Sequence, residues 1–190
     1  MLVPGRSACY GRKKREATLI LFIDTEWADV RANELVSLAL VSDCGRLEFY
    51  AERNPLPAHP TQFVRDVVYP LLERGDRAMD DADFTRRLHE FFGTAQAAAK
   101  PHPVTVAYDH RNDLDLLGIA LEGFDLPATP PRPAFRTLDL STRGGTFQNM
   151  VNEIFDNDAA AHRHRHHALI DARVNRDAYA RLHTAAQAPA

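Results

Sequence analysis

The stretch Thr18–Trp27, TLILFIDTEW, decides the fold. Thr18 to Ile23 is apolar without alternation, the pattern of a strand covered on both faces. Asp24, Thr25 and Glu26 follow directly. Successive side chains on a strand point to opposite faces, so Asp24 and Glu26 leave the same one. Two carboxylates aimed together repel each other unless a cation or a proton sits between them. The plainer alternative is an exposed strand end carrying two solvated acids.

Working outward, Leu35–Ser42 (LVSLALVS) reads as a second strand. Asp43-Cys44-Gly45-Arg46 carries turn chemistry, and Leu47–Ala51 (LEFYA) resumes strand character. These make an antiparallel hairpin or three-stranded meander. Pro60 and Thr61 open a helical pattern through Val64, Val67, Val68, Leu71 and Leu72, which Pro70 should kink or end. Phe84, Leu88, Phe91 and Phe92 give an amphipathic helix. Ala95–Pro103 reads as a connector and Val104–Tyr108 as a strand. Asn112 is a candidate cap for a helix with Leu114, Leu117, Ala120 and Leu121 on its apolar face. Phe124–Pro133 holds four prolines and reads as a loop. Arg136–Leu140 is a short strand, and Phe147, Met150, Val151, Ile154 and Phe155 form a helix stripe. Asp156–His167 is polar and histidine-rich, and a last helix starts at Ala168. Three strands before the first helix, then strands alternating with helices, predict an α/β fold: a mixed sheet with helices on both faces.

A chain of 190 residues bounds the answer to one domain, two at most. It reads as an irregular basic segment over 1–16, one domain over 17–185 and a tail over 186–190. With 45% hydrophobic and 26% charged residues, it is neither disordered nor fibrous. The longest aliphatic and aromatic run, Leu19–Ile23, is too short to span a membrane, and the first residues lack the apolar stretch of a secretory signal. Cys9 and Cys44 are too few for a disulfide framework or a cysteine zinc site, so a cytoplasmic setting is expected. The net charge of -3 means that nucleic acid would be met through a local patch or metal ions. Gly11–Arg15 (GRKKR) is either a solvated tail or a phosphate-steering arm.

More acids sit at element boundaries. Asp113 opens the helix after VTVAY, where the helix dipole alone would favour it. Asp171 lies early in the last helix, where Arg173 or Arg176 could pair with it. His162, His164, His166 and His167 form either a solvated loop or a soft-metal binder. Taken together the set says more. Oxygen ligands without cysteine suit Mg²⁺ or Mn²⁺. Four carboxylates can bridge two such ions about 3.5–4 Å apart for in-line displacement at phosphorus. A nearby histidine can accept the proton of the attacking water. His166 and Asp171 are five residues apart. On one helix they would point about 140° apart. Both can face one site only if His166 precedes the helix.

In these motifs the chain resembles the DEDDh 3′-to-5′ exonucleases of the RNase H-like superfamily. FIDTEW looks like their first motif and maps two metal ligands to Asp24 and Glu26. VAYDHRNDLDLL looks like the second and places a ligand at Asp113, with Leu117 four residues on. HHALIDA looks like the third, assigning the general base to His166 and the last ligand to Asp171. The resemblance spans Leu19 to Leu182. The segment ELVSLALVSDCGRLEFYAE is also similar to a bacterial exoribonuclease subgroup, which tips the substrate towards RNA.

The resemblance implies an RNase H-like fold and a 3′-to-5′ exoribonuclease acting on single-stranded RNA. Two Mg²⁺ or Mn²⁺ ions would be held by Asp24, Glu26, Asp113 and Asp171, and nucleoside 5′-monophosphates would be released. The pattern departs in places. Many members have His-Asn where this chain has Tyr108-Asp109, so Asp109 rivals Asp113 as ligand. His167 rivals His166 as base. Trp27 either packs on the terminal base or belongs to the core. Arg111, Arg163 and Arg165 either hold flanking phosphates or serve as surface charges. The alternatives are a DNA exonuclease, a non-catalytic nucleic-acid-binding module of the same fold, and a metal-binding protein built on the histidines. A homodimer follows by family analogy only.

Overall fold

In the computed structural model, residues 18–185 are described. The segment 1–16, with Cys9 and the GRKKR run, lies outside the described residues, as does the tail 186–190. Three strands come first: β1 (Ile20–Trp27), β2 (Leu35–Ser42) and β3 (Glu48–Arg53). They pair antiparallel in sequence, as the turn residues predict. β4 (Ala78–Met79), a two-residue strand not read from the sequence, adds parallel to β3. Helix α1 (Asp81–Ala99) follows, then β5 (Thr105–Tyr108), α2 (Arg111–Leu121) and β6 (Arg136–Asp139). The chain closes with α3 (Gly145–Asn157), α4 (Ala159–Arg163) and α5 (Ala168–Ala185). The six strands form one mixed sheet in the order β4-β3-β2-β1-β5-β6, with β5 parallel to β1 and β6 parallel to β5.

β1 runs in the interior of this sheet, which explains its unbroken apolar sequence. Leu21 and Ile23 pack into a cluster with Phe84, Leu88 and Phe92 of α1 and Leu116 and Leu117 of α2. Phe22 points the other way, into a cluster with Phe147 and Val151 of α3 and Val174 of α5. Each fully buried phenylalanine contributes about 1.5–3 kcal/mol relative to exposure. Near the head of α5 the contact narrows: Ala39 on β2 meets Ala168 and Ala172. These small side chains let the helix lie close to the sheet.

The structure corrects two local expectations and adds detail to two others. α1 does not stop before Ala95 but runs to Ala99, because alanine is the strongest helix former and Ala95 and Ala99 are buried against the core. Pro101 then disfavours continuation. The cap of α2 is His110, not Asn112: its Nδ1 accepts the Asn112 N–H at 3.2 Å. The pattern after Pro60 is helical from Gln62, passes through a π-helical turn (Val64–Val68) and a 3-10 turn (Tyr69–Leu71), and ends just past Pro70, as expected. The polar stretch before α5 is not wholly irregular, since Asp158 caps the short α4. No helix of the described residues is long and apolar enough to cross a membrane.

Candidate active site

The register places the acids. Phe22 on β1 faces Ala107 on the parallel β5. Two residues beyond each partner stand Asp24, within β1, and Asp109, just past the end of β5. Phe22 and Ala107 share the cluster beneath α3 and α5, so Asp24, Glu26 and Asp109 rise from that same face. α5 crosses it and brings Asp171. Its Asn175 donates from Nδ2 to Asp109 Oδ1 at 3.2 Å.

Asp113 arrives from the opposite side, on α2. Its carboxylate is 1% exposed and fully engaged. Oδ1 accepts both the N–H of Thr25 (3.1 Å) and its hydroxyl (2.7 Å), while Oδ2 accepts the His110 N–H at 3.3 Å. Asp113 therefore completes the capping box of α2 and ties that helix to β1.

His166 lies in the loop before α5, as the spacing argument requires. Its φ of 73° is left-handed, and its N–H donates to Asp171 Oδ2 at 3.1 Å. Glu26, His166 and Asp171 each offer a ligand atom within 4.8 Å of the others. Asp171 Oδ1 is buried and has no hydrogen-bond partner.

So much negative charge in one place holds protons. Burial, then the charges of Asp171, Asp113, Glu26 and Asp109, push Asp24 well up from the usual carboxylate range. Burial and the charges of Asp171 and Asp113 do the same to Glu26. Burial raises Asp109 as well. Asp171 is pushed up to about 7, mainly by burial. Burial and the nearby Asp109 charge push Asp113 up to about 8. His166 moves the other way: burial and the Arg165 charge lower it, which favours the neutral ring.

These groups line a cleft of about 360 Å³. Its walls include Trp27 and Val30 on one side and Thr61, Phe63 and Val64 on the other. Val30 (88% exposed) and Phe63 (50%) are the exposed large hydrophobics among the described residues, and both stand at this cleft. The Phe63 ring meets His166 edge-on at 5.0 Å. Trp27 does both things weighed for it: it packs against the core and borders the cleft, its ring 5.6 Å from that of His110.

The structure thus gathers Asp24, Glu26, Asp113, Asp171, His166, Trp27 and the rival Asp109. Other candidates fall elsewhere. Arg111 is exposed, pairs with Asp115 at 3.2 Å and borders a separate hollow beside Arg132. It does not line the cleft, because the first turn of α2 turns it to its i+4 neighbour. Arg165 bonds Asn152 at 3.2 Å and lies over the Phe155 ring, facing α3, while Arg163 is exposed on α4. His167 is 5% exposed and stacks on Tyr50, turned from the cleft. His162 and His164 are exposed, and His164 Nδ1 lies 2.9 Å from the Ala160 carbonyl, so the four histidines do not converge. Phe63, Val30 and Asn175 were missed. Phe63 carried a signal, an aromatic off the apolar stripe of its helical pattern; Val30 and Asn175 carried none. The chain matches no protein-family model and no curated protein at a significant level.

Proposed function

We propose that this chain is a metal-dependent 3′-to-5′ exoribonuclease of the DEDDh kind. The observation that carries the reading is the convergence, in one cleft, of buried, proton-holding carboxylates with a neutral imidazole. Three antiparallel strands with further strands added parallel beyond β1 support the finer RNase H-like assignment.

The donor set fits hard divalent cations: it is all carboxylate oxygen, holds no cysteine, and leaves Asp171 Oδ1 buried without a partner. Asp24, Glu26 and Asp171 would hold Mg²⁺ or Mn²⁺, with Asp109 or Asp113 as the fourth carboxylate. Asp109 shares the face of Asp24; Asp113 accepts from Thr25 and His110 but also lines the cleft, and its charge bears on both Asp24 and Glu26. When bound, a pair of such ions supplies the positive charge that offsets the phosphate and eases ionisation of the attacking water.

The protein's own groups do the rest. His166, held neutral by burial, accepts the water's proton on an imidazole nitrogen. Asp171 fixes the backbone of His166 through its N–H. Trp27, Phe63 and Val30 offer apolar faces to the terminal base, where an aromatic contact is worth about 1–3 kcal/mol. The nucleotide leaves as a nucleoside 5′-monophosphate, and the chain end steps forward.

The test uses purified protein with 5′-labelled RNA and DNA oligomers of matched sequence, in Mg²⁺, Mn²⁺ or EDTA. A ladder shortening one nucleotide at a time from the 3′ end, present with either metal and absent in EDTA, is the expected result. Undiminished turnover in EDTA sinks the metal claim. Internal cuts point to an endonuclease, and equal digestion of DNA removes the RNA preference.

A further inference from the structure

His167 has no place in the cleft, yet it is the most completely enclosed histidine of the cluster. Its Nδ1 is buried with no partner, which makes it costlier to bury than an apolar side chain of the same shape. It stands at the head of α5, where its carbonyl accepts the N–H groups of Ile170 (2.8 Å) and Asp171 (3.0 Å). Its ring lodges against Tyr50, centroids 4.7 Å apart, with Nε2 3.7 Å from Glu73 Oε1.

That slot is itself built around one carboxylate. Glu52 is 0% exposed and accepts the Tyr50 hydroxyl at 2.7 Å. It also accepts the N–H groups of Glu73 (2.7 Å) and Arg74 (3.0 Å). Arg74, like His166, sits at positive φ. Such conformations cost on the order of 1–3 kcal/mol and persist only where neighbours over-determine them. Glu52 over-determines Arg74. Asp171 holds the N–H of His166, and the residue after His166 is anchored by its own ring.

We propose that His167 is the positioning residue for His166: its ring, lodged between Tyr50 and Glu73, pins the left-handed turn that holds the base over the cleft and hands its N–H to Asp171. The inference rests on the nuclease reading above. Glu52 and Tyr50 belong to the EFYAER strand β3, so a strand two places from β1 sets the geometry of the base.

The experiment is a double-mutant cycle on RNA oligomer turnover in Mn²⁺, with thermal melting of every variant. His167→Phe keeps a ring on Tyr50 and loses the approach to Glu73. It should lower kcat on the order of 10–100-fold, the scale of a base displaced by about 1 Å, with KM within a few-fold of wild type. His166→Ala should lower kcat by about 10²–10⁴-fold. On the His166→Ala background, His167→Phe should add nothing. Losses that multiply, or an unchanged kcat in His167→Phe, overturn the inference. Should His167→Phe fail to fold, Glu73→Ala, at a half-exposed side chain, decides it. It should lower kcat in the same direction by a smaller factor, and again only when His166 is present. An inactive wild type sinks the nuclease reading and this inference with it; an active wild type with additive losses sinks this inference alone.

Discussion

The two faces of the central strand are built on opposite terms. Beneath α1 and α2, Leu21 and Ile23 lead into the larger apolar cluster, and the polar tie from Thr25 to Asp113 is fully satisfied. Beneath α3 and α5, Phe22 gives way to Asp24 and Glu26, and an unpartnered Asp171 oxygen stays buried. One face holds the fold, and the other stores unpaired charge. The alternation of a single strand lets eight residues serve both.

The sharpest way to break this comparison is to cut each face once. Asp24→Asn should lower RNA turnover by 10³-fold or more, about 4 kcal/mol or more of barrier, while raising Tm in EDTA by about 2–6 °C through relieved repulsion. Phe84→Ala on the other face should cost about 3–5 kcal/mol of stability, a fall in Tm on the order of 10 °C, without touching the cleft chemistry. Melting curves beside a turnover assay read both. A destabilised Asp24→Asn variant would erase the distinction between the faces.

A smaller effect separates the rival acids. Asp113→Ala leaves three donors from Thr25 and His110 without their acceptor, so its main loss should be stability, about 1–3 kcal/mol. Asp109→Ala frees only the Asn175 amide and should mainly lose turnover and Mn²⁺ affinity. Denaturant titration and calorimetric metal binding distinguish them; the reverse pattern would make Asp113 the fourth carboxylate.

The smallest effect is in pH. Carboxyls raised to about 7 (Asp171) and about 8 (Asp113) hold protons in the folded state that the unfolded chain has already released. Folded protein binds more protons in that window, so stability falls as pH rises through it, and the raised Asp24 and Glu26 act in the same direction. The lowered histidines work against this fall only below about pH 7.5, above which both states leave them neutral. In EDTA the Tm should drop by a few degrees between pH 6.5 and 8.5, and Mn²⁺ should flatten the slope. A Tm that climbs over this range contradicts the charge storage.

What the sequence made legible was what depends on periodicity. The apolar run before Asp24 marked β1, the two-residue spacing put Asp24 and Glu26 on one face, and the five-residue spacing kept His166 off α5. What stayed hidden depends on neighbours far along the chain. Asp109 and Asp113 look alike as letters; only the register of β5 on β1 and the Thr25 hydroxyl separate them. Arg111, weighed as a phosphate contact or a surface charge, is the exception: its partner Asp115 lies four residues on, an i,i+4 pair that the sequence carried. Phe63 reaches the cleft from the residue just before a π-helical turn, whose geometry no heptad-like count predicts.

The late arrival of α5 has a consequence for biosynthesis. The walls of the cleft come from β1, the turn after Pro60, the end of β5 and the head of α5, so its last component leaves the ribosome after all six strands. Nascent chains fold from the N-terminal side at about 5–20 residues per second. A polypeptide stalled or clipped between Asp139 and His166 contains the segments of β1 to β6, yet carries neither that histidine nor Asp171. On the nuclease reading such incomplete copies would lack the general base and one metal ligand, so cleavage would begin only after the head of α5 has been made.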